Sequence, residues 1–509
     1  MSDSGTSIRL HSRFDPAGEA ARYLDENLAG RRPSCVLVLG GAEDWISEAA
    51  RARLPGSLII SLQLDPRFRG GERPGADHYW YPDSTVQPYE LLARTVPVRL
   101  DGGVAVVVWK PSEKAFPESA AALLRELRRA LEDFTSDAAT VRFWSRRWMA
   151  NSLRNFLAAE RYCRLKPSST PIVVAAAGPS LHSALEALDP FRLRVRLWAL
   201  TSAAAACLRR GWNPELIAGT DPGFWADRHF DAVLRSVSEH RMPLATCLTA
   251  RIPISLFRRC SLVLVAPKEA PENDFISAAG LPSFPSSSRG TSAADALSLA
   301  GQVSQTAVLA AGLDLAARDL ISHCRPYGFD FHIRKPEGRL KPGLSLLWQR
   351  ETAAFPKRMG IWRRGRAFDL YADGMARTSE VEVLRLLPSP VPVPGTIPLD
   401  PQDLSSWIPL DRSDPVPPTD EFDAPNRFRR TALVKEVLES WAVETRDAVS
   451  GKIEPPLPFR TRRLFYALGG SEASAFLAQA ARGILEDSSA RIARSAVERS
   501  LSKFRELTE

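Results

Sequence analysis

The sequence predicts an α/β fold with a central parallel-sheet domain, a smaller N-terminal α/β domain and a helical C-terminal region. Apolar, β-branched segments alternate with helical segments before residue 110 and again after residue 170. Small polar residues stand where the central strands end, and periodic Leu, Ala and Val return among charges after residue 427. Alternating strands and helices imply a parallel sheet whose strand carboxyl ends form a ligand-binding edge.

Residues 33–110 predict the N-terminal α/β unit. Asp65 follows Gly40 at a distance that suits a ribose-binding acid after a dinucleotide turn, but the other glycines of that fingerprint are missing. A scaffold or an acceptor-binding domain is therefore the favoured interpretation. The predicted strands are residues 35–39, 57–62 and 104–109.

In the central region an apolar strand over residues 171–177 ends on Gly178, Pro179 and Ser180. Glycine lets a backbone approach a ligand closely, and proline suits the first turn of a helix. The N–H groups of that turn, beside the Ser180 hydroxyl, are typical of an anion site. Neither common phosphate fingerprint is present, so an ordinary strand-to-helix turn stays open as the alternative.

Two further predicted strands end on small polar residues. Residues 196–200 lead into Thr201 and Ser202, and residues 215–219 lead into Thr220 and Asp221. The carboxyl ends of parallel strands meet at one edge of a sheet. Three such ends in one short stretch predict a ligand-binding edge.

Residues 177–181, 201–202 and 213–221 resemble the motility-associated-factor (Maf) domain, also called the 6-hydroxymethylpterin diphosphokinase (MptE-like) domain. Residues 289–296 are similar to the family's small-residue turn that opens a helix, and residues 310–316 to its strand ending in Gly-x-Asp-Leu. The resemblance covers residues 165–335, with a looser similarity at 368–377.

The resemblance implies a Rossmann-like, sialyltransferase-like core and a cytoplasmic glycosyltransferase. Bacterial members transfer a nonulosonic acid of the pseudaminic or legionaminic type from a CMP-sugar to flagellin Ser or Thr. Short archaeal members are pterin diphosphokinases that use ATP and Mg²⁺. Here Thr201 replaces a frequent Asn, and Pro222 follows Asp221 where such a kinase has a second acid. A third possibility is a non-catalytic flagellar partner protein with a degenerate nucleotide domain.

The catalytic candidates are Asp221 and Asp314. Asp221 would bind ribose or act as a base, with an Asx-type turn as the alternative, and Asp314 would orient the acceptor or cap a helix. His182 and His229 lie near these segments, but a packing role is the commoner one for a single His. No metal ligands are predicted, the need for Mg²⁺ stays open, and the CMP-sugar is the expected donor substrate. The candidate nucleotide-binding residues are Gly178, Pro179, Ser180, Thr201, Ser202, Thr220, Gly290, Thr291 and Ser292.

Composition is that of a globular chain, with 44% hydrophobic and 25% charged residues. No signal peptide is visible and no apolar run approaches the ~18 residues of a membrane span, so we expect a cytoplasmic protein. The six cysteines form no C-x-x-C pair, which favours reduced thiols. A net charge of +8 is low for this length. Solvated helices explain the Arg- and Trp-containing segments better than nucleic-acid binding does.

The predicted organisation has five parts. They are an N-terminal α/β domain (1–117), a helical connector (118–164), the Maf nucleotide-binding domain (165–335), an extension with a Pro-rich linker (336–426) and a helical C-terminal region (427–509). The helices of the C-terminal region could pack on the core, dimerise or recruit the acceptor, and the oligomeric state stays open.

Overall fold

The computed structural model describes residues 8–71, 73–236, 242–267, 269–286, 290–330, 335–375, 382–409 and 419–506. Its mixed α/β architecture, with parallel sheets and a helical C-terminal region, confirms the predicted fold class. The chain forms two compact units. The first combines Met1–Arg146 with Leu438–Glu509, and the second is Arg147–Val437. The five-part division drawn from the sequence stays a prediction.

The first unit contains a four-stranded parallel sheet in the order β3-β2-β1-β4. Its strands are β1 Cys35–Leu39, β2 Leu58–Leu62, β3 His78–Trp80 and β4 Val104–Val108. The helices around it are Pro16–Leu28, Trp45–Arg53, Pro88–Thr95, Lys110–Ala115 and the start of Pro117–Ala158. The C-terminal helices are Arg427–Val449, Phe459–Leu464, Ser474–Ala481 and Asp487–Glu506.

Strand β1 shows why this sheet is covered on both faces. Leu37 and Leu39 belong to one apolar cluster, which the residues of helix Pro117–Ala158 complete. Val36 and Val38 belong to a second cluster on the opposite face. Successive side chains of a strand point to opposite faces, so a strand buried on both must be apolar throughout. That is the pattern from which β1 was predicted.

The C-terminal helical region from Leu438 onwards belongs to the first unit, a placement that the sequence left undecided. The Arg462 guanidinium donates to the Asp101 carboxylate (2.9 and 2.7 Å) and to the Pro97 carbonyl (2.9 Å). The Tyr466 hydroxyl donates to the second oxygen of Asp101. The side chains of Arg462 and Asp101 are 6% and 12% exposed. A buried ion pair therefore ties the C-terminal helices to the segment that precedes β4.

The second unit contains an 11-stranded sheet in the order β17-β16-β12-β6-β7-β8-β9-β10-β5-β18, with β11 paired to β10. Only the edge pair of β18 with β5 is antiparallel among the described strands of this sheet. The strands are β5 Arg161–Leu165, β6 Ile172–Ala175, β7 Arg196–Leu200, β8 Leu216–Ala218, β9 Met242–Thr246, β10 Cys260–Pro267, β11 Ser283–Ser286, β12 Val308–Ala311, β16 Val383–Leu386, β17 Thr396–Leu399 and β18 Thr419–Asp423.

Helices and a small second sheet complete the second unit. The helices are Leu181–Leu188, Thr201–Arg209, Asp231–Ser236, Asn273–Ala278, Ser292–Val303, Gly343–Ala354, Arg366–Met375 and Leu404–Trp407. The antiparallel sheet has the order β13-β15-β14, with β13 Ala317–Arg318, β14 Lys357–Met359 and β15 Trp362–Arg364. Within the described part of the chain, no helix has the length and apolar composition that spanning a membrane requires.

The order of the large sheet reverses at β6. From β6 the chain adds β7, β8, β9 and β10 on one side, whereas β12, β16 and β17 lie on the other. Ligands of open α/β sheets bind outside the strand carboxyl ends at such a reversal. The region whose prolines predicted an extended linker contains strand β17, which includes Pro398, and the linker stays a prediction. Pro415, Pro417 and Pro418 of the same segment lie outside the described residues.

The ion pair between Arg462 and Asp101 gives a stability prediction. Arg462→Ala leaves a largely buried carboxylate without its cation, so we expect the free energy of unfolding to fall by about 3 kcal/mol. Arg505→Ala is the control, because Arg505 pairs with Glu439 on the surface of the same unit, where such pairs contribute about 0.5 kcal/mol. Urea unfolding followed by circular dichroism measures both changes. Equal effects of the two variants would contradict the prediction.

Candidate functional site

The turns that follow β6 and β12 are bound to each other at the reversal point. The N–H of Gly178 donates to the carbonyl oxygen of Gly312 (2.8 Å). The N–H of Ser180 donates to one carboxylate oxygen of Asp314 (2.7 Å), and its hydroxyl donates to the other (2.6 Å). These bonds join residues 134 positions apart in the sequence.

Two glycines permit this close contact. A Cβ atom on Gly178 would lie 2.3 Å from the Gly312 carbonyl oxygen and 2.5 Å from an Asp314 oxygen. Gly312 has a φ of +69°, and a Cβ there would lie 2.5 Å from the Ala176 oxygen. The sequence predicted that Gly178 makes room for a ligand. In the structure it makes room for the neighbouring turn.

The predicted anion site at this turn is occupied by the protein's own carboxylate. Both donors of Ser180 are used by Asp314, and Pro179 between Gly178 and Ser180 has no N–H to offer. Ser180 and Asp314 are 3% and 1% exposed. Burial raises the pKa of Asp314, and the hydrogen bonds from Ser180 act in the opposite direction. Asp314 thus holds the turn here, and its expected role towards the acceptor stays a prediction.

A second polar cluster lies where β8 ends. The hydroxyl of Thr220 donates to Asp295 (2.7 Å) and lies 3.0 Å from the Ser292 hydroxyl, which also accepts from the Thr220 N–H (3.2 Å). The Ser286 hydroxyl donates to the other Asp295 oxygen (3.1 Å). The structure therefore unites the predicted residues Thr220 and Ser292. Asp295, which the sequence did not single out, accepts from Thr220 and Ser286.

Thr201 and Ser202 begin the helix that follows β7, and both are half-buried. The end of β8 approaches Thr201 closely, since a Cβ on Gly219 would lie 2.6 Å from its Cγ2 methyl. Because β6, β7 and β8 are neighbours, their turns form one row along the sheet edge.

Gly290 and Thr291 precede the helix that begins at Ser292. The Thr291 hydroxyl oxygen accepts from the N–H of Ala293 (3.3 Å) and caps that helix. Gly290 has a φ of +76°, and a Cβ there would lie 3.8 Å from the Tyr371 ring. Arg289 and Arg377, which belong to the resembling segments, lie outside the described residues.

Asp221 follows Thr220 and is exposed. One carboxylate oxygen accepts from the N–H of Gly223 (2.7 Å), and its carbonyl oxygen accepts from the N–H of Arg251 (2.9 Å). This is the Asx-type turn that the sequence offered as the alternative. The negative charge also raises the pKa of His229, against the larger effect of burial. Asp221 thus closes a turn and places its charge near an imidazole.

Two histidines and two aromatic rings form a cluster close to Asp221. His323 stacks on Tyr327 with ring centroids 4.2 Å apart, and His229 lies 5.4 Å from Tyr327 and 4.8 Å from Phe329. The backbone fits tightly, because a Cβ on Gly328 would lie 2.6 Å from the Arg228 oxygen. The sequence noted His229 but could not show that residues 323–329 return to it.

Burial sets the charge state of this cluster. It lowers the pKa of His229, and it lowers that of His323 to about 4, with the neighbouring His229 acting in the same direction. It also raises the pKa of Tyr327 and Tyr371. Both imidazoles are therefore neutral at pH 7. The Nδ1 atom of His229 is buried and has no hydrogen-bond partner among the described residues.

His182, the other histidine noted in the sequence, has a structural contact. Its Nε2 atom lies 2.7 Å from the carbonyl oxygen of Arg325. Across the described residues, no three His, Cys, Asp or Glu side chains are grouped so that they could hold a metal ion. The predictions about metal, donor and site roles stay predictions.

Comparison with known proteins gives the fold. No family model matches the chain. An uncharacterized protein of Treponema pallidum (strain Nichols) is 27% identical over 239 residues, which make up 47% of this chain and 52% of that protein. The match thus spans about half of that relative's length. The structure of the MAf glycosyltransferase from Magnetospirillum magneticum AMB-1 is similar over 99% of this chain and 84% of that one, with a TM-score of 0.54 and 12% identity. This chain has a Maf-like fold.

The contact between Ser180 and Asp314 gives a prediction at the site. Ser180→Ala removes one of two donors to a buried carboxylate, so we expect the free energy of unfolding to fall by about 2 kcal/mol. Ser202→Ala, half-buried at the start of the helix that follows β7, is the control and should cost less than about 0.5 kcal/mol. Urea unfolding followed by tryptophan fluorescence measures both. Wild-type stability of Ser180→Ala would show that the turn does not depend on this contact.

Proposed function

We propose that this chain is a glycosyltransferase that moves a nonulosonic acid from a CMP-sugar to a Ser or Thr hydroxyl of flagellin. The observation that carries the proposal is the row of hydroxyl side chains at the carboxyl edge of the large sheet, beside Asp221 and His229. The Maf-like fold supports a sugar donor and an acceptor. The identity of both substrates rests on the resemblance of the sequence segments to Maf domains.

The chemistry requires two kinds of group. The bond between the anomeric carbon and the CMP phosphate breaks, and a bond to the acceptor oxygen forms. Hydrogen-bond donors stabilise the departing phosphate, and a base takes the acceptor proton. We assign the donors to the hydroxyls of Thr201, Ser202 and Ser292, and we assign Thr220, which donates its proton to Asp295, as an acceptor. Ser180 and Asp314 then hold the adjoining turn in place.

Asp221 and His229 are the two candidates for the base. Asp221 is exposed, and the Gly223 N–H holds one of its oxygens. His229 is neutral because burial lowers its pKa, and its buried Nδ1 atom has no hydrogen-bond partner among the described residues. A neutral imidazole with an unbonded nitrogen suits proton abstraction from a hydroxyl. The charge of Asp221 would stabilise the imidazolium that forms.

One observation favours the second candidate function, a non-catalytic flagellar partner protein with a degenerate nucleotide domain. Asp314 already occupies both donors of Ser180, so a phosphate at that turn would have to displace a carboxylate. The transferase proposal therefore requires that the remaining hydroxyls at the carboxyl edge of the large sheet bind the nucleotide. Pterin diphosphokinase activity is a third possibility that the same ligand screen tests.

The first functional prediction concerns nucleotide binding. CMP should raise the melting temperature without added Mg²⁺, since a ligand that binds only the native state stabilises it by about 2.7 kcal/mol at a hundred times its Kd. CDP, UDP and ATP with Mg²⁺ are the comparisons in a thermal-shift screen. A response to ATP with Mg²⁺ alone would indicate the diphosphokinase class. If none of the four nucleotides raises the melting temperature, the non-catalytic partner protein with a degenerate nucleotide domain is favoured.

The second prediction separates the two candidate bases by pH. Burial depresses the pKa of His229 below its usual 6.5. If His229 is the base, the rate of transfer to flagellin falls as the imidazole becomes protonated, with a midpoint below pH 6.5, because the base must be unprotonated. His229→Gln should then reduce transfer by roughly 10²-fold, with CMP affinity unchanged.

Asp221→Asn is the matched variant for that experiment. If Asp221 is the base, this variant shows the 10²-fold loss, as is usual when a general base is removed. If Asp221 only closes its turn, Asn replaces it with little effect. Full transfer by both variants, measured as flagellin mass, would remove both residues from the list of catalytic candidates.

A further inference from the structure

Residues 335–369, which we call the basic extension, concentrate the positive charge of the chain. They contain nine Lys or Arg residues and three Asp or Glu residues, a net charge of +6, where the whole chain has +8. One of the acids, Asp369, pairs within the extension with Lys357 (3.5 Å) and Arg364 (2.5 Å). The basic extension is therefore a strongly cationic element of the second unit.

The basic extension also exposes large apolar side chains. Leu340, Leu344 and Trp348 follow one another at four-residue spacing and are 90%, 74% and 57% exposed. Leu344 and Trp348 are one turn apart in helix Gly343–Ala354, so they share one face. Met359 and Ile361 are exposed at the turn between β14 and β15. Apolar side chains exposed together and rimmed by charge are typical of an interaction site.

The chemistry of this surface fits a protein better than a membrane. A helix that lies in a lipid surface gathers its apolar residues on one side. Here Leu347 follows Leu344 by three residues and lies on the same side, whereas Leu346 lies on another side of the helix, so the apolar residues are not confined to one side. Six of the nine cations are arginines. Arg, Trp and Met are enriched in protein interfaces, where Lys is depleted, and the Arg fork fits carboxylates.

The basic extension adjoins the candidate site. The hydroxyl of Ser322 donates to Glu351 of helix Gly343–Ala354 (3.3 Å) and lies 3.1 Å from the Nδ1 atom of His323. Helix Arg366–Met375 continues from the extension and carries Tyr371, whose ring faces Gly290. A protein bound on this surface would lie beside the aromatic cluster that contains His229.

We infer that the basic extension is the docking surface for the acceptor protein, and that it binds an acidic face of that protein with an apolar centre. The inference rests on the proposed function, because it takes the second substrate to be a protein. The exposed Leu and Trp side chains supply the centre of the contact, and the cations supply its rim. Such an arrangement gives affinity through the apolar anchors and orientation through charge.

The test uses the full chain and unmodified flagellin, purified from a strain in which the gene for this chain is deleted. The double variant Leu344→Asp/Trp348→Ser should weaken flagellin binding at least ~tenfold, because buried Trp anchors commonly dominate interfaces. A charge variant, Arg339→Glu/Lys341→Glu, should weaken it as well and reduce its dependence on salt. Leu193→Asp is the matched control, since Leu193 is 77% exposed in the same unit.

The CMP thermal shift, measured for every variant, separates this inference from the proposed function. We expect that shift to be the same in all variants, with flagellin affinity lost only in the two extension variants. Flagellin affinity that is unchanged in the extension variants, or absent in the wild type, would overturn the inference. Two further outcomes would also overturn the inference. In one, the double variant abolishes binding to phosphatidylserine vesicles and leaves flagellin affinity unchanged. In the other, it abolishes self-association and leaves flagellin affinity unchanged. An absent CMP shift in the wild type counts against the proposed function alone.

Discussion

The two hydrogen bonds from Ser180 to Asp314 join the turns that follow β6 and β12 at the carboxyl edge of the large sheet. They cross the point where the strand order of the large sheet reverses. The carboxyl group of Asp314 is 1% exposed, and burying such a group is unfavourable unless its oxygens accept hydrogen bonds. The amide and the hydroxyl of Ser180 meet that requirement. Gly178 and Gly312 are needed because any side chain would push the turns apart.

This constraint changes how the row of polar turns functions. A turn with free N–H groups would attract an anion directly, whereas this one is filled by Asp314. In the proposed function, anion binding is assigned to the hydroxyls along the edge, where Asp295 accepts from Thr220, which in turn contacts Ser292. A hydroxyl that donates its proton to a carboxylate can still accept a hydrogen bond through its oxygen, for example from a ribose hydroxyl of a ligand. The edge thus offers acceptors as well as donors, which suits a nucleotide more than a bare phosphate.

The sequence predicted the fold more fully than the site, for a physical reason. Strands such as β1 and β6 are continuous apolar runs, because both faces of a parallel sheet are covered, and that pattern is local. Which turns meet depends on the order of strands, which no local pattern records. Ser180 and Asp314 are 134 residues apart, and Thr220 and Asp295 are 75 apart. The structure brings Ser180 to Asp314 and Thr220 to Ser292, and the expected role of Gly178 towards a ligand stays a prediction.

The aromatic cluster is a second feature that the sequence alone could not predict. His229, His323 and Tyr327 carry no recognisable spacing, and each is unremarkable in its own segment. Burial favours the neutral forms of these three side chains, which lie near the exposed carboxylate of Asp221. The Asx turn fixes Asp221 at that boundary, since the Gly223 N–H holds one oxygen and leaves the other towards solvent. The turn and the electrostatic role of Asp221 are therefore compatible, because the bond that closes the turn also positions the charge next to His229.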